Sequence, residues 1–242
     1  MLQVLIAEAA KLRRSLVLLL CAAAPTLVAL LCALMFHQKG GSDQPWANYL
    51  LSASAIWSFF MLPMTVTALT ILIAQLEHGP KFWNHLLALP VRRASFFAAK
   101  IVTVVLLVAA MTALLFVLTP ALGWLGDAAA PGRKLTGELA LGQFAATLAK
   151  MFAGALLLIA LQLWVALRFR SFVPPLVLGI GGTFVAVVAT ASDYGPYFPG
   201  LIATNALAAD PGRAQLALGV GLLGGLIAVA AMLVDLSRRE IV

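Results

Sequence analysis

The sequence predicts an all-α integral membrane protein with six transmembrane helices. Three observations carry that expectation. Of 242 residues, 63% are hydrophobic and only 10% are charged, whereas soluble domains run roughly 45–50% apolar and about 25% charged. The mean hydropathy is +1.03. The apolar residues form continuous runs and do not alternate over about 10 positions as barrel strands do, so the spans are helices that satisfy their own backbone in lipid. At roughly 20 residues per span, the length holds six or seven helices with short loops. Residues 1–242 read as a single transmembrane domain, and any soluble catalytic module must come from another chain.

Residues 1–14 read as an amphipathic interfacial helix. Leu2, Leu5, Ile6, Ala9 and Leu12 recur at helical spacing, with Glu8, Lys11 and Arg14 on another face. The first span is about 15–36, with Pro25 inside it. Its apolar run is longer than a signal-peptide core and lacks an A-x-A site, so cleavage is not expected. Cys21 and Cys32 share this helix. They stand about 16 Å apart along its axis, too far to bridge, and read as apolar fillers.

A polar loop leads to the second span, about 49–76, interrupted by Pro63. The most charged stretch follows, from Glu77 to Lys100. Inside it Phe82, Leu86 and Leu89 recur at helical spacing beside Trp83, Leu87 and Pro90. This predicts a short amphipathic helix at about 78–90, started near Pro80 and ended before Pro90. It reads as a helix lying on lipid or as a docking helix for a cytoplasmic partner, since exposed aromatics beside charges suit helix-in-groove recognition.

The third span is about 101–125, and the loop after it carries Asp127, Arg133 and Lys134. The fourth, about 139–167, contains Lys150. A tight turn leads through Pro174 and Pro175 into the fifth, about 172–191. Residues 192–213 are semi-polar, with Pro196, Pro199 and Pro211, and the sixth span is about 214–234.

Charge placement orients these spans. With six crossings both termini share a side, and that side collects eleven of the sixteen basic residues against four acidic ones, a net of +7. The other side balances five against five. By the positive-inside rule the basic face is cytoplasmic. The net charge is therefore a topology signal, and no nucleic-acid partner is expected.

No catalytic motif stands out. A G-x-x-x-x-G-K-[ST] loop, an H-E-x-x-H pair and a G-x-S-x-G elbow are all missing. His37 lies across the membrane from His78 and His85, and Glu77 alone would not complete a metal site with those two. No metal site and no catalytic residue is expected. Lys150 is the single charge within an apolar run; it reads as snorkelling to the outer interface, with contact to an anionic lipid or substrate as the functional alternative. Ser54, Ser58 and Thr65 share a face of the second span, and Gly179, Thr183 and Thr190 a face of the fifth. Such residues serve interhelical packing or line a translocation path. Gln162 is expected to bond to a neighbouring helix. Gly221 and Gly225 form a G-x-x-x-G pair that permits close helix approach, without saying whether the neighbour is in the same chain.

Trp57, Pro63, Glu77, Trp83, Leu89-Pro90, Arg92 or Arg93, and Lys100 form an ordered pattern, preceded by Glu8, Lys11, Arg13, Arg14 and Pro25. On these residues the chain resembles the type-2 ABC exporter permeases, and within them it is most similar to the lantibiotic-immunity and bacitracin-resistance type. The resemblance implies a coupling helix at 78–90 that meets a cytoplasmic ATPase through Glu77, Lys81, Phe82, Trp83, Leu86, Leu89, Pro90 and Arg92. It implies short re-entrant segments between spans five and six. It also implies two copies of a separate ATPase that bind ATP and Mg2+, and a second permease copy or a related permease as membrane partner. The expected location is a bacterial inner membrane, and the expected cargo an amphipathic peptide, drug or lipid. A non-transporting structural or sensory subunit, or a permease for cofactor-linked export, is the alternative.

Overall fold

The computed structural model describes residues 2–12, 15–38, 43–77, 93–129 and 134–238. The expected coupling helix at 78–90 lies outside the described residues, and with it Lys81, Phe82, Trp83, Leu86, Leu89 and Pro90; Arg92 does so too.

The chain begins with α1 (Leu2–Leu12). Its charged side turns inward: Glu8 is buried while Ile6 is 61% exposed. Ser15 then breaks the helix, its hydroxyl donating to Leu12 O at 2.9 Å, and α2 (Val17–Gln38) follows. The second span is assembled from α3 (Trp46–Ile56), one turn of π-helix (Trp57–Met61) and α4 (Leu62–Gln75). Pro63 explains the wide turn, because its ring clashes with the carbonyl four residues earlier and cannot donate to it.

Next comes α5 (Arg93–Ala129), 37 residues long. It begins eight residues before the expected start of the third span, so Lys100 sits two turns inside a helix. The reason is tertiary: carboxylates from elsewhere neutralise that lysine, as described below. The remaining helices are α6 (Leu141–Arg168), α7 (Val173–Ala189), α8 (Pro199–Asn205) and α9 (Pro211–Arg238), with a 3-10 turn at Gly195–Tyr197.

Among the described residues five helical segments are long and apolar enough to cross a membrane: Val17–Phe36, Trp46–Gln75, Ala94–Ala128, Leu141–Arg168 and Pro211–Arg238. The expected fifth span corresponds to α7. It is apolar but has 17 residues, about 26 Å of helix against the roughly 30 Å of a hydrocarbon core.

The bundle has two distinct ends. At the near end Gln75 Nε2 donates to Arg170 O at 3.4 Å, and Arg168 pairs with Asp235 at 3.0 Å. Asp235 also accepts from Trp164 Nε1 at 2.9 Å, which ties α6 to α9. At the far end two-residue strands β1 (Gln44–Pro45) and β2 (Leu135–Thr136) pair in parallel. Asp43 and Asp127 accept the backbone amides of Lys134 and Leu135, each at 3.0 Å.

α6 and α9 pack closely against each other. A Cβ on Gly221 would lie 2.6 Å from Gly154 Cα, and one on Gly225 would lie 3.1 Å from Leu156. The neighbour of the G-x-x-x-G pair is thus α6 of the same chain. α8 packs on the same helix, with Ile202 against Gly154. Gln162 Nε2 on α6 donates to Pro175 O of α7 at 2.6 Å.

Candidate functional site

Four charged side chains converge at the near end, where α1, the end of α4 and the start of α5 meet. Lys100 Nζ donates to Glu77 Oε1 at 2.7 Å and to Glu8 Oε2 at 2.9 Å. Lys11 Nζ donates to Glu8 Oε1 at 2.8 Å and to Glu77 Oε1 at 3.0 Å. Among the described residues, two carboxylates and two ammonium groups balance one another in the cluster. The side chains of Glu77 and Lys100 are 0% exposed, a position that an unpaired ion would occupy only at a cost of several kcal/mol. Phe96, one turn before Lys100, completes the site. Its ring centroid lies 4.7 Å from the Lys100 ammonium and 5.8 Å from that of Lys11, within cation–π range.

Local sequence explains how each member arrives. Glu8 and Lys11 stand three apart on α1, so they share a face. Glu77 follows directly on the last turn of α4, its amide bonded to Ala74 O at 3.0 Å. Phe96 and Lys100 stand four apart on α5. Burial by itself would raise the Glu8 carboxyl, but the Lys100 charge and the bonds from Lys11 and Lys100 outweigh it and hold the group below its ordinary 4.5. Burial would lower Lys11; hydrogen bonds to Glu8 and Glu77 outweigh that and hold it above its ordinary 10.5. Glu77 Oε2 has no hydrogen-bond partner among the described residues.

The site therefore gathers Glu77 from the expected coupling set, together with Glu8, Lys11 and Lys100, which the sequence pattern included without showing that they touch. The signal was present: opposite charges close two consecutive apolar spans on one side, and α1 offers a matching pair.

The polar stripes occupy other places. Ser54, Ser58, Thr65 and Thr183 are buried. Each hydroxyl donates to its own helix, Ser54 to Leu50 O at 2.9 Å, Ser58 to Ala55 O at 3.3 Å, Thr65 to Met61 O at 2.6 Å and Thr183 to Gly179 O at 2.8 Å. Thr190 is exposed and bonds to Val187 O at 2.6 Å. Thr183 and Thr67 line a cavity of about 100 Å³ between α4, α6, α7 and α8, with Pro63, Gln162, Gly179 and Gly200. The two helices touch there, since a Cβ on Gly179 would overlap Thr67. Ser54 borders a separate cleft of about 240 Å³ between α3 and α6. Lys150 is exposed on α6.

Long apolar helices, with their buried charges gathered at one end, define a multi-pass membrane subunit. The chain matches the model of the ABC-2 family transporter proteins over residues 4–186, about three quarters of its length, and it belongs to that family. It is thus a membrane-spanning permease subunit of an ABC transporter, in a family that works with an ABC ATPase. Comparison with curated proteins and with solved structures found no match.

Proposed function

We propose that this permease belongs to an exporter that moves an amphipathic antimicrobial peptide, drug or lipid, and that it takes its drive from an ATPase docked on residues 78–90. One observation carries the reading. Glu77, the last described residue before that segment, is ion-paired with Lys100, two turns into the helix after it. Both also bind α1. A push on the segment between them therefore acts on α1, α4 and α5 as one unit, because separating buried partners costs about 3–5 kcal/mol.

In this reading two ATPase subunits bind ATP and Mg2+ and close on each other, and two permease copies, identical or related, form the path between them. Phe82, Trp83 and Leu86 anchor the ATPase, while Lys81, Leu89, Pro90 and Arg92 frame the contact. Both termini face the cytoplasm of a bacterial inner membrane. α7 serves as a short sixth span and α8 as a re-entrant segment. Ser54, Ser58, Thr65, Thr183 and Thr190 flank the path, and Lys150 stands near its mouth. The subtype is that of the lantibiotic-immunity and bacitracin-resistance permeases. The test is a pull-down of the tagged chain from gently solubilised membranes. A co-purifying ATPase whose hydrolysis rate responds to the chain in lipid supports the reading. A folded chain that brings down no ATPase overturns it.

A further inference from the structure

Gln162 is 1% exposed, yet among the described residues only one end of its amide is engaged. Nε2 donates to Pro175 O at 2.6 Å, while Oε1 has no hydrogen-bond partner. Gln162 lines the cavity of about 100 Å³ between α4, α6, α7 and α8, and Pro175 does not. The nitrogen is thus turned away from the cavity, and the oxygen is left to it. Two hydroxyls border the same space, and both have spent their protons. Thr67 donates to Pro63 O and Thr183 to Gly179 O, each at 2.8 Å. A donating hydroxyl keeps its lone pairs. The cavity therefore presents three acceptors, and its other lining side chains are apolar. A buried carbonyl oxygen without a donor is costly, so this space calls for a guest that donates.

Size and wall chemistry narrow the guest. The volume has room for several waters at the roughly 10–15 Å³ that each requires. Three acceptors in an apolar wall hold few of them. A dry cavity of about 150 Å³ takes benzene, so a guest of about three or four carbons suits this one. Access is from the side: Leu178 lines the cavity and is 44% exposed, so the space reaches the outer surface of α7.

We propose that this cavity is a binding site for a small, membrane-soluble alcohol. Its hydroxyl donates to Gln162 Oε1, and its carbon chain rests on Leu158, Leu161, Leu178 and Phe198. Thr67 and Thr183 offer the hydroxyl alternative acceptors on the opposite helices. The site needs neither the ATPase nor a transported cargo.

The test is ligand-observed fluorine NMR of the full-length chain in lipid nanodiscs. The probes are a terminally trifluorinated butanol and the matching trifluorinated butane, compared at equal concentration in the lipid phase, with empty nanodiscs as the background. The alcohol should broaden in the presence of the chain and bind about fivefold tighter than the alkane, the gain expected from one net hydrogen bond. Gln162→Met, which keeps the length of the side chain and removes the strong acceptor, should lose that preference. Thr183→Val should keep most of it. Equal binding of the two probes by wild type overturns the proposal, and that result needs no variant to fold. No broadening of either probe beyond empty nanodiscs would leave water as the occupant and overturn it too. So would an unchanged preference in folded Gln162→Met.

Discussion

Lys100 and Glu77 stand 23 residues apart in sequence, meet at 2.7 Å, and expose neither side chain. Their contact closes the bundle at the end where α4 stops and α5 begins. Glu8 and Lys11 extend it to α1, so three helices share one ionic core beside the segment proposed to meet the ATPase.

Replacing Lys100 by Met should be strongly destabilising. Among the described residues it leaves Glu8 and Glu77 buried with Lys11 as the remaining cation, and breaking a buried pair from one side costs about 3–5 kcal/mol. Lys100→Met combined with Glu77→Gln should recover part of that loss, because the orphaned charge is removed as well. Thermal unfolding of the two variants in detergent measures the difference. With Glu77→Gln alone measured as well, single-variant losses that add up to the double-variant loss would show that the pair does not interact energetically.

Stability should fall in acid through Glu8. Its folded pKa lies below its ordinary 4.5, so its contribution is complete above about that pH and is lost as the pH drops through the lower folded value. Lys11 has the opposite sign. Its folded pKa lies above its ordinary 10.5, so its contribution is complete below that pH and fades as the pH rises through the higher folded value. Unfolding midpoints measured against pH should show both flanks, and Glu8→Gln should flatten the acid one. An unchanged acid flank in that variant would remove Glu8 as its source.

Gly221→Ala should force α9 away from α6, since the new methyl would lie 2.6 Å from Gly154 Cα. Overpacking of this kind costs about 1–3 kcal/mol. Gly219→Ala meets nothing within 4 Å and should be neutral or slightly stabilising, because alanine is the better helix former. The pair of melting temperatures tests whether the close contact is with α6.

Phe82→Ala or Trp83→Ala should weaken ATPase association by more than about 1 kcal/mol, as expected for aromatic anchors at an interface, while leaving insertion intact. Co-purification yields normalised to membrane content measure this. Wild-type yields in both variants would remove the docking assignment.

The sequence was most readable where one helix decides the outcome. Continuous apolar runs marked the long spans, Pro63 marked the break filled by a π-turn, and Gly221 with Gly225 marked a close approach. Gln162 was readable too, because a buried amide must find a partner somewhere, and it finds Pro175 O. The ionic cluster was less so. A lysine beside an apolar run looks like the edge of a loop until its counter-ions are known, and those of Lys100 lie 92 and 23 residues away. The early start of α5 follows from that neutralisation. The inward turn of the α1 charges was hidden for the same reason, since an amphipathic helix on lipid would point them outward. The shortness of α7 comes from the turns at its two ends, where hydrophobicity alone gives little guidance.

The most direct test of the account is the ATP hydrolysis rate of the co-purified ATPase, reconstituted in lipid with wild-type chain or with the Glu77→Gln, Lys100→Met pair. The uncharged pair leaves residues 78–90 untouched and should still bind the ATPase, yet its influence on the hydrolysis rate should be lost because the link between docking segment and bundle is gone. A folded variant that binds the ATPase and changes its rate as wild type does would contradict the claim that this cluster carries the coupling.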